Sequence, residues 1–188
     1  MKASKHEIVR PKRALVLRVR LGPRLGDSGQ RLAYLSAGAW QVRCAVGRSG
    51  FTRRKVEGDG ATPIGRFIIM GWLFKPIIRP FPRHACPWRT IRRDSGWCDD
   101  PRCGAYNRPV RLPFSHSHEL LWRSDGKYDI VGILDHNVHA RKMNAGSAIF
   151  FHLCDAEFDS TAGCVAIEPS AMRKLIPMLP RRVIIAIH

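Results

Sequence analysis

A chain of 188 residues with 45% hydrophobic content suits one domain with a sizeable core, and 32 Lys and Arg against 15 Asp and Glu give it a formal charge of +17. Such a balance favours polyanionic surroundings, but the arginines are scattered with no recognisable nucleic-acid motif around them, so no nucleic-acid partner is expected. No apolar run approaches the ~20 residues of a membrane span, and the run behind the basic start ends at Arg18, short of the ~7 to 15 residues of a signal-peptide core, so neither segment is expected.

Residues 1–13 are basic and polar and read as a flexible tail; residues 14–188 read as the folded domain. Leu15, Leu17 and Val19 alternate with Val16, Arg18 and Arg20, the pattern of a strand with one charged face. A turn follows over 22–29, then strands over 31–36 and 38–47, so the opening is a β-meander. Within it Cys44 alternates with Trp40, Val42 and Val46 and is expected in the core, as is Cys154. Residues 53–65 are turn-rich and contain Gly58-Asp59-Gly60-Ala61-Thr62-Pro63, leading into a strand over 66–74.

From 75 to 113 no periodicity is visible and prolines recur, which predicts a long irregular segment, a lid over a cleft. Trp97, Tyr106 and Asn107 on it are candidate substrate contacts, with a structural reading of each open beside that. Cys98 and Cys103, with Cys86 and His84 upstream, allow a local disulfide or an adventitious metal site, yet no spacing matches a standard zinc motif, so no metal and no cofactor is expected. Residues 119–122 suit a short helix or strand, and 128–134 alternate as a strand leading to Asp135-His136-Asn137. His136 and Asn137 join the candidate substrate contacts, and His136 and His139 are alternative bases.

Residues 146–168, GSAIFFHLCDAEFDSTAGCVAIE, join a buried strand, His152, a polar loop and Cys164. Gly163 permits a sharp bend before Cys164 and brings successive N–H groups toward one point, the geometry of an oxyanion hole. Strands on either side of the loop leave His152 and Cys164 facing one cleft. Pro169 suits the first turn of a helix whose apolar stripe is Met172, Leu175, Ile176 and Leu179, interrupted by Pro177. A closing strand over 182–187 completes a β-rich α+β domain with one or two short helices.

His152 followed by Thr161-Ala162-Gly163-Cys164-Val165 resembles the active-site signature of the L,D-transpeptidase (YkuD-like) catalytic domain. Gly58 to Phe67, GDGATPIGRF, resembles the same family's GDGxTPxGxF element, and Gly96 to Pro101 and Tyr106-Asn107-Arg108 resemble one branch of it. Better-known members carry His where this chain has Ala162 and Arg or Asn where it has Ala166, and their loop is longer than residues 153–160. The resemblance implies a YkuD-like β-sandwich that acts as a monomer on peptidoglycan stem peptides in the bacterial periplasm or cell envelope, and that carbapenems acylate. It further implies Cys164 as nucleophile, His152 as base, and Thr161, Ala162 and Gly163 as the turn and oxyanion hole. Transfer of the acyl group to an amine gives a cross-link, and transfer to water an L,D-carboxypeptidase. The alternative from another class is a non-catalytic basic module that binds wall or nucleic acid.

Overall fold

The computed structural model describes residues 14–24, 31–78 and 87–188. The tail expected over 1–13, most of the turn expected at 22–29, and His84 and Cys86 lie outside the described residues. Alternation in the opening strands delivers what it predicts. In β1 (Leu15–Arg24), Leu17 and Val19 are buried while Arg18 and Arg20 face solvent. β2 (Arg31–Ala37) and β3 (Trp40–Cys44) continue the antiparallel meander, and Leu35 and Cys44 enter the core with them.

β4 (Phe51–Thr52) and β5 (Thr62–Pro63) form a short parallel pair that closes the loop carrying GDGATP, and β6 (Gly65–Phe74) follows at once. The segment expected to be irregular instead carries β7 (Trp88–Thr90), β8 (Ser95–Cys98) and β9 (Arg108–Arg111). With β10 (His118–Leu120), which settles the open reading of 119–122 as strand, β8 and β9 form a separate antiparallel sheet in the order β10-β8-β9. Strands of three or four residues are too short to show a period of two. Pro109 is tolerated because β9 lies on an edge.

β11 (Ile130–Leu134), β12 (Phe150–Leu153), β13 (Val165–Ile167), helix α1 (Pro169–Leu175) with a 3-10 turn over Ile176–Met178, and β14 (Val183–Ile187) complete the chain. The large sheet runs β13-β12-β11-β6-β14-β1-β2-β3, with β7 also on β6. It curls until its ends meet: Ala45 N donates to Ala166 O at 2.8 Å and Ala166 N to Ala45 O at 2.9 Å. Inside the curl lie Leu17, Leu35, Ile69, Phe151, Val165 and Ile185, together with Met172 and Leu175 from α1. Completely buried side chains of this size each contribute roughly 1.5 to 3 kcal/mol, so this cluster anchors both strands that carry the candidate nucleophile and histidine.

A second apolar cluster, on the other face of β11 and β12, joins the two sheets. Trp97 from β8 stands edge-on to Phe150 of β12 at 5.3 Å between centroids, and Ile91, Tyr128, Val131 and Cys164 pack with them. The small sheet is thereby docked directly over the candidate site. Cys98 and Cys103 are free thiols in this structure, both buried.

Candidate active site

The turn before Cys164 is shaped by Thr161. Its hydroxyl donates to Cys164 O at 2.7 Å and accepts from Gly163 N at 3.1 Å, closing a loop of four residues. The loop is pinned from outside by Arg48 N donating to Thr161 O and Thr161 N donating to Val46 O, each at 2.9 Å. Gly163 has φ of +146°, and a Cβ there would stand 2.9 Å from Ala61 O. Glycine is therefore required twice over, by conformation and by contact. The Gly163 N–H is spent on Thr161. Among the described residues the Ala162 and Cys164 N–H groups form no hydrogen bond, so these two, rather than all three, are available to an oxyanion.

Ala61 belongs to the GDGATP loop, so elements about a hundred residues apart in the sequence meet at Gly163. Asp59 organises that loop: its carboxylate accepts from Val56 N at 2.9 Å, from Ala61 N at 2.8 Å and from the Lys55 ammonium. These donors hold the Asp59 carboxyl below its usual range against the opposing effect of burial. Thr62 Oγ1 accepts from Gly47 N at 2.8 Å and ties the loop to the meander.

Cys164 is buried at the start of β13, and its sulfur is held by β12. The thiol donates to Ala148 O at 3.2 Å, and Sγ accepts from Phe150 N at 3.3 Å. Burial, with the nearby Glu119 carboxylate second, raises its pKa well above that of an ordinary thiol, so Cys164 rests protonated and needs a base to react.

His152, expected as that base, is buried on β12. It lies on the same face of β12 as Phe150, opposite Ala166 of β13, but its Nδ1 is 2.8 Å from Leu153 O and its ring stands edge-on to Tyr128 at 5.0 Å. It forms no hydrogen bond with Cys164. Burial lowers its pKa to about 4, so the ring is neutral at pH 7. The side chain facing the sulfur is Tyr128, whose hydroxyl donates to Glu119 Oε1 at 2.8 Å. Burial raises the Glu119 carboxyl to about 7, partly offset by Tyr128 and Arg123.

The other candidates are brought together in a buried to half-buried frame beside the cluster that holds Cys164. Asn107 is 1% exposed. Its Oδ1 accepts from Trp97 Nε1 at 2.9 Å and Ala148 N at 3.1 Å, and its Nδ2 donates to His136 O at 3.1 Å. Tyr106 is fully buried and donates to Glu57. Trp97 packs on Phe150, and His136 Nε2 is 3.0 Å from Ala145 O. Asn137 binds the carbonyls of Lys142 and Gly146 at 2.9 and 3.0 Å. None of these five lines the cavity at Cys164, and each is held within the fold by hydrogen bonds or packing. Large polar side chains on short, proline-broken elements suit either reading, and only packing separates the two.

The cavity itself has a volume of about 100 Å³ and is walled by Cys164, Gly163, Ala162, Ser147, Lys55, Glu57, Asp99 and Glu119, among others. Through Glu57, Gly58 and Asp99 it adjoins a groove of about 530 Å³ that extends to Asp100, Arg102 and Ser117. Tyr128, Glu119 and Asp99 were not singled out from the sequence, because each is an isolated residue in or beside a short strand. A buried thiol beside free backbone donors and a Glu119 carboxyl raised to about 7 offers parts that acyl transfer can use.

The sequence profile of the YkuD family, the L,D-transpeptidase catalytic domain, matches residues 27–185. The chain belongs to this family. No match was found among curated proteins or solved structures. Two of the departures of this chain from better-known L,D-transpeptidase family members have structural counterparts. Ala162 lies at the exposed lip of the cavity, whereas Ala166 is fully buried and forms the seam with Ala45, where a longer Arg or Asn has no room. Among the described residues no helix is long and apolar enough to cross a membrane.

Proposed function

We propose that this domain is a peptidoglycan L,D-transpeptidase of the bacterial cell envelope in which Cys164 is the nucleophile. The observation that carries the reading is the placement of Cys164. Its sulfur lines a cavity, beside two unspent N–H groups and within the field of a carboxyl that titrates near neutrality.

The thiol proton passes through the Tyr128 hydroxyl to Glu119 as Sγ attacks the carbonyl joining the third, diaminopimelate-type residue of a stem peptide to its terminal D-alanine. The oxyanion forms against the Ala162 and Cys164 N–H groups, each donor being worth roughly 3 kcal/mol in such sites. Glu119 returns the proton to the departing D-alanine amine and a thioester remains. An acceptor amine then attacks the thioester and gives up its proton to Glu119, from which the released thiolate recovers it. His152 supports this sequence as the neutral ring that fixes Tyr128. No metal or organic cofactor takes part in these steps.

The test is the intact mass of the full chain after incubation with a carbapenem, whose strained ring imitates the acyl donor. The wild type is expected to gain one drug-sized adduct and Cys164→Ala none. An unmodified wild type, or an adduct that persists on Cys164→Ala, would sink the reading.

A further inference from the structure

The cavity beside Cys164 has an electrostatic character opposite to that of the protein. The chain carries a formal charge of +17, yet three carboxylates, Glu57, Asp99 and Glu119, line the cavity with a single lysine. That lysine, Lys55, is already paired with Asp59. Glu57 accepts from the Tyr106 hydroxyl and Glu119 Oε1 from Tyr128. The remaining oxygens Asp99 Oδ1 and Glu119 Oε2 are buried without a hydrogen-bond partner. Buried acceptors left unpaired cost on the order of 1 to 3 kcal/mol each, more when charged, and two of them at one cavity favour a compact donor with positive charge.

We propose that this cavity is a subsite for a primary ammonium group of the stem peptide, held by Asp99 and Glu119 with Glu57 behind them. The proposal rests on the reading of Cys164 as the acyl-transfer nucleophile. Size agrees with the chemistry. The cavity of about 100 Å³ has room for the aminomethyl end of a side chain, and the adjoining groove of about 530 Å³ for more of the peptide. An ammonium has three donors for the two unpaired oxygens and the Ser147 hydroxyl at the wall, whereas a planar guanidinium is larger and a neutral hydroxyl offers one donor and no charge. The ammonium could come from two parts of the substrate, the incoming acceptor amine or the side chain of the donor's third residue. An acceptor bound there lies against Glu119, which takes its proton once the carboxyl is ionised. The charged and titratable groups acting on Glu119 are Tyr128, Arg123, Asp99, Glu57 and Cys164.

Two measurements on the full chain test this. In the first, 1,5-diaminopentane and pentane-1,5-diol are titrated separately against the wild type, Glu119→Gln and Asp99→Asn and followed by NMR at pH 8. The diamine is expected to bind despite the protein's overall positive charge, the diol not, and each variant to weaken the diamine at least tenfold. Equal responses to diamine and diol, or variants that bind the diamine like the wild type, overturn the proposal. In the second, Asp99→Asn, which moves no proton in the reaction, is compared with the wild type on a tetrapeptide stem donor with an amine acceptor. A tenfold fall in the ratio of amine transfer to hydrolysis places the ammonium on the acceptor. Slower acylation at an unchanged ratio places it on the donor. No change in either quantity overturns the subsite. If the wild type forms no acyl-enzyme, the transpeptidase reading fails by itself, and the diamine titration still decides what the cavity binds.

Discussion

The carbonyl of Ala148 holds the thiol of Cys164 at 3.2 Å, and it does so from a backbone conformation that alanine rarely adopts, with φ of +50°. A non-glycine residue in the left-handed region costs on the order of 1 kcal/mol or more and persists only where its surroundings fix it. Here Asn107 fixes it by accepting from Ala148 N. The sulfur is thus aimed by a strained peptide whose support lies in the small sheet's connecting loop, on a different layer of the fold.

Asn107→Ala removes three buried hydrogen bonds and leaves Trp97 Nε1 and Ala148 N without partners. A loss of about 3 kcal/mol of stability is expected, together with slower carbapenem acylation as Ala148 relaxes. Urea unfolding and intact-mass time courses on the same preparation measure both. A variant as stable as the wild type would show that Asn107 does not hold the frame.

Gly163→Ala brings a Cβ to 2.9 Å from Ala61 O at φ of +146°. The turn has to move, at a cost on the order of 2 kcal/mol. Displacement of the Cys164 N–H should depress acylation more than stability alone would. Measuring adduct formation well below the melting temperature separates the two effects, and an unchanged rate there would show that the turn does not set the oxyanion geometry.

Proton transfer through Tyr128 to Glu119 requires an ionised Glu119, whose carboxyl burial raises to about 7. Carbapenem acylation should therefore climb about tenfold per pH unit below 7 and level off above it. Tyr128→Phe interrupts the path and should slow acylation by roughly 10². A Tyr128→Phe enzyme that keeps the wild-type rate and pH profile would return the role of base to another group.

His152 and Glu119 oppose each other in the pH dependence of stability. Burial lowers the His152 pKa from 6.5 to about 4, so its contribution is complete above pH 6.5 and is lost as the pH falls toward 4. The Glu119 pKa rises from 4.5 to about 7, so its contribution is complete below pH 4.5 and is lost as the pH rises through 7. The two partly cancel in the wild type. His152→Gln exposes the Glu119 slope, and the stability gap between wild type and variant should shrink by about 2 kcal/mol from pH 7 to pH 5. Denaturant midpoints at the two pH values give the gap, and equal gaps would mean that His152 is not held neutral.

Local patterns determined most of the large sheet. The alternation in 15–20, the strand after GDGATP, the strands flanking His152 and Cys164 and the helix begun by Pro169 are all present, because each is long enough, or sharply enough bounded by glycine and proline, to declare its period. The chain itself also singled out Cys164 and the Thr161-Ala162-Gly163 turn as candidates, since a glycine before a cysteine between two strands permits a sharp bend. Tertiary structure alone decided what the thiol touches, Ala148 O and Phe150 N. His152 on β12 and Cys164 just before β13 lie on the same side, as strand geometry requires, but the imidazole Nδ1 meets Leu153 O and the ring stands edge-on to Tyr128. Glu119 and Asp99 line the same cavity as Cys164 only because a three-stranded sheet of very short strands docks through Trp97 onto Phe150. Sequence records which faces are apolar, and hence which strands form. Which polar side chains then meet in a cavity, and at what pKa, depends on the burial that docking creates.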